Sequence, residues 1–168
     1  MGGNAMGFAR HLSVLTGAVA LLGAPSAHGQ EPMPYGPAIT LEQAKEVVAG
    51  AEAEAQQNNW PVVIAIVDTG GNLVMLQRLD NAQFGSLEVA RQKAWSAAAF
   101  RRPTKVFEEG IAGGGAGLRI LALEGATPLE GGIPIAVDGQ IVGAVGVSGV
   151  TSQQDAQIAQ AGIDSLTK

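Results

Sequence analysis

Apolar and polar positions change period several times along the chain. From Thr40, Leu41, Ala44, Val48, Ala51 and Ala55 recur at spacings of three and four, which predicts a helix. Thr40 and Gln43 stand at the two positions of a capping box, and Asn58-Asn59 ends the helix before Trp60-Pro61. The period then shortens: Val62 to Val67 is a near-continuous apolar run, Asp68-Thr69-Gly70-Gly71-Asn72 is a turn, and Leu73 to Leu79 is a second strand. Ser86 to Phe100 returns to a helical pattern rich in Ala, with Ser86 placed to cap it and Arg101-Arg102-Pro103 to break it. A short helix from Thr104, a flexible loop GIAGGGAG over residues 110–117, and a segment Leu118 to Leu123 that fits either a strand or a helical turn come next. Ile133 to Val137 and Gln140 to Ser148 form a second hairpin, and Asp155 to Leu166 a last helix. This order lacks the regular strand-helix alternation of a parallel sheet, so the expected class is α+β with an antiparallel sheet flanked by helices.

Residues 131–150, GGIPIAVDGQIVGAVGVSGV, carry Gly at six positions within strand-like sequence. Gly weakens strands unless a neighbour must approach the backbone. Alternation puts Val142, Ala144, Gly146 and Ser148 on one face of the last strand, and that face is nearly bare. The Ala-rich helix over 86–99 suits close contact with it, so the glycines are expected to serve packing before ligand approach.

The first 29 residues stand outside this domain. A short basic start, the apolar run LSVLTGAVALLGA and the ending APSAHGQ have the layout of a secretory signal peptide, with cleavage expected after Gly29. The apolar run is too short to span a bilayer, and no later run is long enough. A periplasmic or secreted location follows as an expectation. Residues 30–39, with three prolines, read as an extended linker, and residues 40–168 as one domain.

Removing residues 1–29 leaves nine Lys and Arg against fifteen Asp and Glu, a formal charge of −6 instead of −5. That balance argues against a nucleic-acid partner. The chain has no Cys, and both histidines, His11 and His28, lie in the segment removed. The expected mature protein therefore holds no Cys or His zinc site, no Cys nucleophile and no Ser-His-Asp triad. Metal binding would need oxygen ligands, but Glu52 with Glu54 and Glu108 with Glu109 read as solvated helix faces, so no metal site is assigned. The run at 113–117 fails as a nucleotide loop: it lacks the glycine spacing of a dinucleotide fingerprint, and Ala116 stands where a P-loop needs Lys.

Arg78, Asp80 and Lys93 are the charged residues that stand out. Arg78 shares a strand face with Val74 and Leu76 and is expected to be partly buried, and Lys93 sits on the Ala-rich helix. Two readings stay open. Arg78 pairs with Asp80 while Lys93 extends from an apolar face, or the two cations form a pocket for a carboxylate.

TLEQAKEVVAGAEAEAQ, VVIAIVDTGGNLVMLQRLDNAQFGSLEVARQKAWSAAAFRRPT and LEGGIPIAVDGQIVGAVGVSGVTSQQDAQIAQAGI occur together and in this order. From about Thr40 onward the chain resembles the GlcG/HbpS family of haem-binding-like proteins, and also the C-terminal domain of PduO. The resemblance implies a profilin-like fold, a homo-oligomer, most simply an octamer, and ligand-binding positions at Arg78, Asp80, Lys93, Thr104, Gly131 and Gly132. It implies an exported binder of haem or another small molecule, with a cofactor-independent enzyme acting on a small hydroxy or aromatic acid, or a structural or sensory oligomer, as alternatives. In the enzyme reading Lys93 is the base and Arg78 the carboxylate anchor. Haem would have no His ligand in the mature chain. Arg78 and Lys93 would meet the propionates, with Met75 and Tyr35 the remaining candidates for the iron, although Met75 reads as core and Tyr35 as part of a mobile tail.

Overall fold

Thr40 starts the first helix as its sequence dictates. Its Oγ1 accepts from the Gln43 amide at 3.2 Å, and Gln43 Oε1 accepts from the Thr40 amide at 3.0 Å. Helix α1 (Leu41–Gln57) buries Ala44, Val47, Val48, Ala51 and Ala55, and Asn59, at φ 56°, turns the chain out of it. The structure is a computed structural model that describes residues 1–3 and 32–166. The chain divides into two units, Met1–Gln30 and Glu31–Lys168, and all elements named here belong to the second. Apart from residues 1–3, the expected signal peptide lies outside the described residues. Among the described residues no helix is long and apolar enough to cross a membrane.

Strands β1 (Val63–Asp68) and β2 (Leu73–Arg78) form the first hairpin, whose turn is held by Asp68 Oδ1 accepting from the Gly70 and Asn72 amides, both at 2.8 Å. Strands β3 (Gly132–Val137) and β4 (Gln140–Ser148) form the second. Pairing of β1 with β4 joins the hairpins into one antiparallel sheet of order β2-β1-β4-β3. The two central strands are buried almost throughout, which is why β1 reads as a continuous apolar run. Helix α2 (Ser86–Phe100) covers one face, with Ala90, Ala94, Ala97 and Ala98 packed on Val63, Ala65, Val67 and Ala144. Helices α1 and α4 (Ser152–Leu166) pack on each other and cover the opposite face around Ile64, Ile66, Val145 and Val147. The fold is α+β with an antiparallel sheet flanked by helices.

The bare strand face meets α2 as its alternation predicts. A Cβ on Gly146 would fall onto the Ala90 carbonyl oxygen and the Ala94 amide, so only Gly allows this contact. Val142 departs from the pattern and joins the cluster on the other face. There Ile39 donates its amide to the Val142 carbonyl at 2.7 Å.

Several local expectations are corrected. GIAGGGAG is not one loop: helix α3 (Lys105–Ala112) runs through Gly110, and after Gly113-Gly114 a 3-10 helix (Gly115–Ala122) makes residues 118–122 helical. A Cβ on Gly117 would fall on the Gly110 carbonyl, so these glycines let the two turns touch. Ser86 does not cap α2; its buried hydroxyl accepts from Gln83 Nε2 at 3.0 Å and from Ser148 Oγ at 3.2 Å. Helix α4 begins at Ser152, three residues before Asp155. The tail around Tyr35 is docked: Ile141 donates to the Pro34 carbonyl at 2.9 Å, Gly36 donates to the Ile141 carbonyl at 2.8 Å, and Tyr35 Oη donates to the Ala98 carbonyl at 2.7 Å.

Candidate functional site

Lys93 lies on the side of α2 that meets the sheet and is 2% exposed. Its Nζ donates to the Val147 carbonyl at 2.9 Å and to Asp155 Oδ2 at 2.7 Å. Asp155, in the first turn of α4, is equally buried, and its Oδ1 accepts from the Val150 amide at 3.2 Å. The ion pair therefore ties a helix on one face of the sheet to a helix on the other. Burial pushes the Asp155 carboxyl above its ordinary range, while the Lys93 ammonium pulls the other way.

Gly131 and Gly132 make room for this pair. A Cβ on Gly131 would stand 2.9 Å from Lys93 Nζ and 2.8 Å from the Asp155 Cβ, and Gly131 is at φ 122° besides. A Cβ on Gly132 would fall on the Lys93 carbonyl. Thr104, fully buried, then stitches β3 to the start of α3: its amide donates to the Gly132 carbonyl at 2.9 Å, while its hydroxyl donates to the Leu129 carbonyl at 2.7 Å and accepts from the Gly132 amide at 2.9 Å. It makes no side-chain cap to α3. Among the described residues no buried side-chain nitrogen or oxygen lacks a partner. Four of the six singled-out positions, Lys93, Thr104, Gly131 and Gly132, thus converge on one closed polar knot.

Arg78 and Asp80 lie elsewhere, where the edge strand β2 ends. Arg78 is exposed and not partly buried, because it is the last residue of an edge strand. Its guanidinium sits 5.3 Å from the centroid of the Phe84 ring, a cation-π contact that orients it. The Arg78–Asp80 ion pair does not form, and among the described residues neither side chain has an ion-pair partner. Both line a groove of about 640 Å³ between the end of α1 and the exit of β2, walled by Trp60 and edged by Glu52, Gln56 and Gln77. Glu52 Oε2 accepts from Gln77 Nε2 at 2.7 Å, which spans the groove wall from α1 to β2. Arg78 and Lys93 do not share a pocket. One is offered to solvent and the other is closed off.

Asp155 is the residue that sequence reading missed as a partner. Its signal was chemical: a Lys on the helix face that meets a strand of Gly and Ala must find a counter-charge inside, and acids near the helix starts are the candidates. Met75 packs partly buried against the core, and Tyr35, with Arg101 5.4 Å from its ring centroid, is held by its hydroxyl on α2. No group of three His, Cys, Asp or Glu side chains is placed to hold a metal ion among the described residues.

A family model described as "Haem degrading protein HbpS-like" matches residues 39–164. Protein GlcG of Escherichia coli (strain K12) is 44% identical over 110 residues, which cover 66% of this chain and 81% of GlcG. Among solved structures, Klebsiella pneumoniae protein ORFY superposes with a TM-score of 0.72 at 34% identity, over 79% of this chain and 92% of that one. The PduOC:heme complex superposes with a TM-score of 0.69 at 31% identity, over 76% of this chain and 94% of that one.

Proposed function

This chain belongs to the HbpS-like family, and on that premise we propose that it is an exported, oligomeric binding protein for haem or another small carboxylate-bearing ligand, held in the groove where β2 ends. The observation that carries this reading is Arg78: an exposed guanidinium, oriented by Phe84, free of any carboxylate and set beside the aromatic wall of Trp60. A guanidinium fork suits a carboxylate, and a heme complex is known for the similar PduOC. Asp80 stands in the same groove and would select a hydroxyl or amine donor next to the carboxylate.

The groove fits haem only in part. None of its lining residues is His, Cys, Met, Tyr or Lys, so it offers propionates a cation but offers the iron no side-chain ligand of the usual kinds. Lys93 is closed off and committed to Asp155, so in this reading it meets no propionate, and Thr104, Gly131 and Gly132 support the fold beneath the site. Hemin and iron-free protoporphyrin IX titrated into the mature protein are therefore expected to bind with similar affinity, followed through the Soret band. Arg78→Ala should weaken both by roughly tenfold. Tight hemin binding that the iron-free ring does not share, lost in Met75→Leu and kept in Arg78→Ala, would move the ligand to other residues.

Export and assembly are tested together. Native mass spectrometry of protein taken from the periplasm or medium should give a subunit beginning near Gln30 and an assembly of eight. A full-length monomer confined to the cytosol overturns both.

A further inference from the structure

Trp95 lies on α2 yet is 40% exposed. Its indole is braced at both ends by bare backbone. A Cβ on Gly71, in the β1–β2 turn at φ 79°, would stand 2.5 Å from Trp95 Cδ1 and 2.8 Å from Nε1. A Cβ on Gly125, also at φ 79°, would stand 2.8 Å from Cη2. Phe100 packs edge-on at 6.2 Å between centroids. The loop carrying Gly125 is itself pinned to α2, because Thr127 donates its amide to Ser96 Oγ at 3.1 Å. The result is a fixed aromatic platform inside a second groove of about 570 Å³, with Val67, Leu73 and Ala126 beside it and Glu88, Arg91 and Glu124 on its rim.

Charge decides what such a groove takes. Arg91 Nη1 pairs with Glu88 Oε2 at 2.9 Å, and Gln92 Nε2 donates to the other Glu88 oxygen at 3.2 Å, so that pair is neutral and satisfied. Glu124 is exposed and has no ion-pair partner among the described residues. The net offer is one carboxylate beside an indole. An anion is repelled by Glu124, whereas an organic cation gains from both the carboxylate and the negative face of the ring. We propose that this groove is a second binding site, for a small organic cation that stacks on Trp95 and directs its charge to Glu124. Its platform is fixed before binding, so little ordering is lost when the ligand arrives.

The probe is benzyltrimethylammonium. In a Trp60→Phe background Trp95 is the sole tryptophan, since the chain has two, and its fluorescence is expected to be quenched saturably. Calorimetry on the unaltered protein should give the same affinity. Glu124→Gln, a surface change away from the core, should weaken binding about threefold to fivefold, Trp95→Leu should abolish it, and Arg78→Ala should leave it unchanged. Benzenesulfonate should not bind. The proposal is overturned by the absence of saturable quenching, by equal binding of the anion, or by an affinity indifferent to Glu124→Gln.

Discussion

Asp155→Ala is expected to destabilise the protein by roughly 3 to 5 kcal/mol, measured by urea unfolding at neutral pH. The substitution leaves the Lys93 ammonium where it is, 2% exposed and hydrogen-bonded only to the Val147 carbonyl. It has no water to retreat to, since α2, β4 and the Gly131 backbone enclose it. The pair as a whole is a different matter. Burial holds the Asp155 carboxyl above its ordinary pKa against the opposing pull of the Lys93 ammonium. A group raised in this way contributes stability in acid, below its unfolded pKa, and loses it as the pH rises through its folded pKa. At neutral pH the ionised carboxylate is retained at a cost that the attraction of Lys93 offsets only in part. The double variant Lys93→Met with Asp155→Leu should therefore recover most of the lost stability, and it should lack this component of the pH dependence. If Asp155→Ala costs less than about 1 kcal/mol, the pair is open to water and the polar knot is not closed.

The elements were legible where one physical cause dominated. Thr40 with Gln43 fixed the start of α1, apolar runs separated by turn residues marked both hairpins, and the small residues of β4 foretold the approach of α2. Boundaries failed where tertiary contacts override local signals. Ser86 carries the side chain of a cap but spends it on Ser148, across the interface between α2 and the sheet. Gly110 and Gly117 look like a flexible stretch because a sequence does not show that their backbones touch. Of the positions singled out, Lys93, Thr104, Gly131 and Gly132 came through the family pattern, but their shared contacts needed coordinates: nothing in the spacing places Asp155, 62 residues from Lys93, against its ammonium. The separation of Arg78 from Lys93 was equally hidden. It depends on β2 being the edge strand, which follows from β1 pairing with β4, a pairing between segments far apart in the chain.

Gly146→Val is expected to cost roughly 1 to 3 kcal/mol or more by overpacking, seen as a melting temperature lowered by several degrees. The size follows from what the new side chain would strike. Ala90 carbonyl oxygen and Ala94 amide are backbone atoms of α2, so the helix itself must lift from the sheet, and Val63, Ala65 and Ala144 lose contact with it. Gly146→Ala already introduces the offending atom and should show much of the effect. Because the obstruction is backbone, trimming the neighbouring side chain gives no relief: Ala90→Gly should not rescue Gly146→Val. Gly85→Ala is the control, since a Cβ there meets nothing within 4 Å and the residue has φ −60°, and its melting temperature should stay equal or rise slightly. Rescue by Ala90→Gly would mean that side chains and not backbones set the distance between α2 and β4, and the glycines of the strand would then need another explanation.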